Sequence, residues 1–175
     1  MMKPKVYVTR KIAPEALDMI NEVAEMKLWI GELVIPYETL LEQVKDIDGL
    51  LCLLNEKVDA VIIDAAPRLK VISNCAVGYD NIDIAEATRR GIPVGNTPGV
   101  LSESTADFAF ALLMAAAMRV VESDKYTRRG LWKVPWEPML LLGQDVHHST
   151  LGIVGMGRIG TEVARRARGF QMQVL

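Results

Sequence analysis

A chain of 175 residues, 50% apolar and 24% charged, has ordinary globular composition. At that length it can bury roughly 70% of the surface that its unfolded form exposes. The 20 Lys+Arg and 22 Asp+Glu leave a formal net charge of −2, which argues against a nucleic-acid partner, whose binder carries a basic surplus on one face.

Two cysteines, Cys52 and Cys75, exclude a disulfide scaffold and suit a reducing compartment. The opening residues run straight into Val6-Tyr7-Val8-Thr9 without the apolar core of a signal peptide. The longest apolar run, Phe108 to Met118, is eleven residues, whereas a membrane span needs about 20. A soluble, cytoplasmic protein with no membrane partner is the expectation.

Val6 to Thr9 reads as a strand, followed by a helix from about Pro14 whose Ala16, Leu17, Ile20 and Val23 line one face. Met26 to Ile30 is a second strand closed by Gly31, and Tyr37 to Val44 a second helix. Gly49 to Leu54 is a strand apolar on both faces, Val58 to Ala65 a helix and Leu69 to Asn74 another strand. Ile82 to Arg90 is helical up to Gly91, and Ile92-Pro93-Val94 is a short strand. Doubly apolar strands alternating with helices predict a parallel sheet covered on both sides, a doubly wound α/β unit.

At Thr97-Pro98-Gly99 the pattern changes. Ser104 and Asp107 have the spacing of a capping box, opening a helix to about Val121 that is apolar nearly all round. Such a helix is expected to be buried on several sides, as a central core helix or at a subunit interface. Leu131 to His148 reads as loop, and Thr150 to Val154 as a strand leading into Gly155-Met156-Gly157-Arg158-Ile159-Gly160. Helix follows from Thr161 to Arg168, Gly169 ends it, and a new strand opens at Met172.

That glycine pattern, between a strand and a helix, is the context of a dinucleotide-binding turn. The first glycine permits the tight turn, the second lets backbone approach a pyrophosphate, and the third lets helix pack on strand. The helix then offers unpaired N–H groups and its positive dipole end to phosphates. An acidic residue that reads the ribose is expected about 20 residues on. Counting from Gly155 reaches Leu175, the last residue, so the choice between NAD and NADP stays open.

Asn74-Cys75-Ala76-Val77-Gly78-Tyr79-Asp80-Asn81-Ile82-Asp83, the stretch Gly91 to Asp107, and Leu151 to Gly160 together resemble the D-isomer-specific 2-hydroxyacid dehydrogenases. The loop Trp136 to Gly143 is most similar to the glyoxylate/hydroxypyruvate reductase branch. The resemblance implies a flavodoxin-like substrate domain over residues 1–99. Residues 100–175 would hold a dimer-forming helix, a loop and the first βα unit of a Rossmann-type, NAD- or NADP-binding domain, with the active site between the two. It implies hydride transfer to a small 2-oxo acid, giving the D-2-hydroxy acid, in a homodimer. The backbone amides of Val77 and Gly78 match the positions that hold the substrate carboxylate. Thr105, Gly155, Gly157, Arg158, Ile159 and Gly160 match cofactor positions.

The family's catalytic Arg, Glu and His match nothing up to Leu175, so no catalytic residue is assigned here and this chain alone is expected to be inactive. It is read as the N-terminal half of a longer enzyme, or else as a poorly stable fragment with an exposed strand edge. His147 and His148 are expected to be solvated loop residues, and Cys52 and Cys75 buried free thiols. Arg165, Arg166 and Arg168 should form a solvated helix face, while Trp132 and Trp136 anchor their loop or else line a substrate mouth contributed across a dimer. No His/Cys spacing suggests a metal. The alternative function is a dinucleotide-sensing, corepressor-like binding protein on the same scaffold.

Overall fold

A computed structural model describes residues 2–175, which form two compact units dividing between Pro98 and Gly99. The first unit holds β1 (Lys5–Val8), α1 (Pro14–Val23), β2 (Glu25–Leu28), α2 (Tyr37–Gln43), β3 (Gly49–Cys52), α3 (Ala60–Asp64), β4 (Val71–Asn74), α4 (Ile84–Arg89) and β5 (Val94–Gly95). Its five strands are all parallel, in the order β2-β1-β3-β4-β5. This is the flavodoxin-like order, whose direction reverses beside β1, and ligands of such sheets gather at the carboxyl ends of the strands there.

Alternation along the strands explains the core. Tyr7, Leu50, Cys52 and Ile72 point to one face and join Leu40, Val44, Ile62, Ile63, Ala87 and Ile92, all buried. Each fully buried Leu or Ile contributes roughly 1.5–3 kcal/mol. Aspartates cap two helices: Asp59 accepts from Ile62 N in α3, and Asp83 accepts from Glu86 N in α4. The opposite face is less well covered than the doubly apolar strands suggest. Val6, Leu51, Val71 and Ser73 line, together with α1, an apolar groove of about 480 Å³, and Val23 stays 67% exposed.

At the amino ends of β1 and β3, Asp48 is 6% exposed and accepts from Lys5 N at 3.0 Å and from Arg68 at 2.8 Å, with Lys70 at 3.1 Å. The Lys5 amide, then the Lys70 ammonium and the Arg68 guanidinium, hold its carboxyl at a pKa of about 2.

The second unit contains α5 (Ser102–Ala117), α6 (Val120–Arg128), β6 (Thr150–Leu151), α7 (Arg158–Gly169) and β7 (Gln173–Val174), with β6 and β7 parallel. α5 starts two residues before the expected cap. Ser104 therefore lies inside the helix and donates to Leu101 O at 3.2 Å, while Asp107 pairs with Arg166 instead of capping. Within this chain α5 is no central core helix: only Ala106 and Phe110 are buried, and Phe108 and Leu112 are exposed. A 59° bend at Met118–Arg119 separates α5 from α6, with Arg119 in the left-handed region at φ 51°. The sequence pattern gives no sign of α6 as a separate helix. No single described helix is long and apolar enough to cross a membrane.

Candidate functional site

In the first unit the residues singled out by sequence lie just past β4. Val77 and Gly78 are exposed, in a loop in which three successive carbonyls are engaged. Thr97 N donates to Ala76 O at 2.9 Å, Asn96 Nδ2 to Val77 O at 2.8 Å and Asn74 Nδ2 to Gly78 O at 2.9 Å. The N–H groups of Val77 and Gly78 have no hydrogen-bond partner among the described residues. Unpaired amides at the carboxyl end of a parallel sheet can receive an anion.

Behind that loop is a polar cluster that sequence reasoning missed. Glu56, 2% exposed, accepts from Thr9 Oγ1 at 3.0 Å and Leu53 N at 2.6 Å through Oε2, and its Oε1 has no partner among the described residues. Asn81 Nδ2 donates to Leu53 O and Glu56 O, both at 2.9 Å, and Asn81 Oδ1 accepts from Asn74 Nδ2 at 3.2 Å. Asn74 is 1% exposed; an asparagine at a strand end is the signal that could have shown it, since a buried amide must find partners.

Cys52 is buried, and burial first, then the nearby Glu56, pushes its thiol up to about 12. Cys75 is exposed, contrary to the expectation of two buried thiols. Strand alternation accounts for this: Cys52 is level with Asn74 on the core face, so the next residue, Cys75, turns away.

In the second unit, Gly155 adopts φ +99°, a conformation that side chains rarely tolerate. A Cβ on Gly160 would overlap the Gly155 carbonyl oxygen and come within 3.2 Å of its carbon and 3.4 Å of Ile153 Cγ2. Gly160 is thus where α7 touches the preceding turn. A Cβ on Gly157 would meet nothing within 4 Å, so backbone there faces open space. Gly157 is the N-cap of α7 and gives no side-chain cap, and the first helical bond runs from Thr161 N to Gly157 O at 2.9 Å. The first-turn N–H groups of Arg158, Ile159 and Gly160 therefore have no acceptor within the helix. These three features fit a dinucleotide pyrophosphate.

Beside them is a cavity of about 580 Å³ lined by Gly99, Val100, Ser102, Glu103, Arg158, Thr161 and Glu162. It joins the first turns of α5 and α7. Thr105 is one turn further along α5, exposed, with its amide already donating to Leu101 O at 2.8 Å, so only its hydroxyl is available. Arg166 is no member of a solvated face. It binds Asp107, donates to Glu103 O at 3.1 Å and to Glu162 O at 2.9 Å, and ties α7 to α5. Phe110 and Phe170 stack beneath, with ring centroids 5.2 Å apart.

His147 and His148 are exposed, as expected for loop residues. Trp132 and Trp136 are 56% and 77% exposed, so neither ring anchors its loop in a core. No group of three metal-ligating side chains occurs among the described residues.

Comparison with known proteins agrees with this arrangement. Residues 6–171 match the model of the D-isomer specific 2-hydroxyacid dehydrogenase catalytic domain. The chain is 59% identical over 174 residues to a glyoxylate reductase of Korarchaeum cryptofilum, covering 99% of this chain and 52% of that protein. It is 52% identical over 177 residues to a glyoxylate reductase of Thermococcus gammatolerans, covering 99% and 53%. The chain thus spans about half the length of the curated relatives it matches. Among solved structures, the TT0316 protein from Thermus thermophilus matches with a TM-score of 0.90 at 47% identity, covering 97% of this chain and 54% of that one. A glyoxylate reductase from Paecilomyes thermophila matches at 0.79 and 30% identity, covering 99% and 55%. The chain belongs to the D-isomer-specific 2-hydroxyacid dehydrogenase family.

Proposed function

We propose that this chain holds the ligands of an NAD(P)-dependent reductase of a small 2-oxo acid, of the glyoxylate/hydroxypyruvate type. The observation that carries this reading is the turn from Gly155 to Gly160, open at Gly157 and close-packed at Gly160, at the start of α7. The amides of Arg158, Ile159 and Gly160 would hold the pyrophosphate, with the Arg158 guanidinium and the Thr105 hydroxyl as further donors. When bound, the nicotinamide supplies the hydride. In the first unit, the N–H groups of Val77 and Gly78 would hold and orient the substrate carboxylate. Residues 1–99 are then the substrate domain and residues 100–175 the start of the cofactor domain. The glyoxylate reductases among its relatives support this substrate class.

The same reading includes a homodimer. Phe108, Leu112, Val120 and Val121 leave an apolar surface on α5 and α6 that a second copy would cover.

Fluorescence titration of the chain with NADH and NADPH tests the cofactor site. Saturable binding of at least one, lost in Gly157→Ala while the fold persists, is expected; no saturable binding of either would refute it. Glyoxylate-dependent oxidation of the cofactor by protein isolated from its source tests the substrate class, and sedimentation tests the dimer.

A further inference from the structure

A trans peptide is a rigid plane in which C=O and N–H point in opposite directions, so whatever holds a carbonyl also aims the next residue's amide. No described peptide bond is cis. Three consecutive planes are held in this way. Thr97 N on Ala76 O aims the Val77 N–H, Asn96 on Val77 O aims the Gly78 N–H, and Asn74 on Gly78 O aims the N–H of Tyr79. Tyr79 N, like its two predecessors, has no hydrogen-bond partner among the described residues.

Asn74 is itself braced. Its Nδ2 also donates to Asn81, which clamps the Leu53–Glu56 turn, and its Oδ1 accepts from Cys52 Sγ at 3.5 Å. A neutral amide suits this place better than the isosteric carboxylate, because it has a donor for the carbonyl and adds no negative charge to repel an anion on the other side of the loop.

We propose that Asn74 and Asn96 are positioning residues for the substrate carboxylate, with Asn81 bracing Asn74, and that Tyr79 N–H is a third donor beside Val77 and Gly78. This rests on the reading of those amides as the carboxylate site. None of the three asparagines touches the acid; each turns a backbone donor toward it.

The test uses the whole 175-residue chain, isotopically labelled, with Asn96→Ala and Asn74→Ser as variants. Order parameters of residues 76–80 are measured without ligand, and amide shifts are followed during titration with glyoxylate. In the wild type, the signals of Val77, Gly78 and Tyr79 should move together and saturate. In Asn96→Ala the order parameter of Gly78 should fall from about 0.85 to below about 0.6, with β3 and β4 and the unfolding temperature unchanged. Glyoxylate should bind about tenfold more weakly, the loss of roughly one well-aimed charge-assisted donor. Asn96 is half-buried and lies outside the strands and the buried core, so its variant keeps the test available even if Asn74→Ser fails to fold. A loop that stays rigid, or unchanged glyoxylate affinity in Asn96→Ala, overturns the positioning role alone. A wild type whose three amides ignore glyoxylate overturns the carboxylate site and the proposal with it.

Discussion

Gly160→Ala and Gly157→Ala each add one methyl group to the same turn, yet the structure predicts different consequences. At Gly160 the new Cβ overlaps the Gly155 carbonyl oxygen, so α7 must retreat from the turn by about 1 Å, a shift that well-packed structures resist. Overpacking of this kind costs roughly 1–3 kcal/mol, and displacing backbone rather than a flexible side chain places it at the upper end, about 3 kcal/mol. For a chain of this size that lowers the unfolding midpoint by roughly 6–12 °C. At Gly157 the Cβ enters open space and φ is −79°, so the fold should tolerate alanine within about 0.5 kcal/mol. The methyl nevertheless occupies the approach that a pyrophosphate needs. Thermal unfolding followed by circular dichroism, paired with NAD(P)H fluorescence titration, separates the two effects. Gly160→Ala should lose stability, and Gly157→Ala should lose only binding. Equal midpoints for Gly160→Ala and wild type would refute the close-packing argument, and full cofactor affinity in Gly157→Ala would refute the open-approach argument.

Three further outcomes are expected. The folded-state pKa of Asp48, about 2, is below the usual 3.8 of a free aspartate, so its carboxylate stabilises the fold above about pH 4 and that contribution is lost as pH falls toward 2. Denaturant unfolding of Asp48→Asn should therefore show a deficit of about 2 kcal/mol at pH 7 that shrinks by pH 3; a deficit independent of pH would exclude the ionic account. Iodoacetamide at pH 8 should alkylate Cys75 alone in the native chain, because Cys52 is buried and its thiol is pushed up to about 12; mass spectrometry showing rapid double labelling would contradict this. Glu56→Ala strands the Thr9 hydroxyl and the Leu53 amide in the interior and should cost about 2–4 kcal/mol, measured by urea unfolding.

The alternation of strands and helices, and therefore the parallel α/β architecture of the first unit, was legible because doubly apolar strands such as Gly49–Cys52 have few other settings. The strand–turn–helix geometry around Gly155 was legible because glycine at 155, 157 and 160 serves backbone geometry, which sequence spacing encodes directly. Elsewhere tertiary partners decided. Ser104 and Asp107 have capping-box spacing, but Leu101 and Arg166 offered better partners. The break after Ala117 was hidden because Met118 and Arg119 are ordinary helix formers, and only the left-handed Arg119 marks it. Asn74, Asn81 and Glu56 are separated in the chain, and their cluster exists only once β3 and β4 are side by side.

The Arg166 clamp has a consequence for how the cavity at the starts of α5 and α7 can respond to a visitor. One guanidinium engages the Asp107 carboxylate and the carbonyls of Glu103 and Glu162, so neither helix can swing away without breaking charge-assisted bonds. Its width is therefore set before anything arrives. A ligand is selected there by fit to a standing shape, and little of its affinity is spent on ordering the walls.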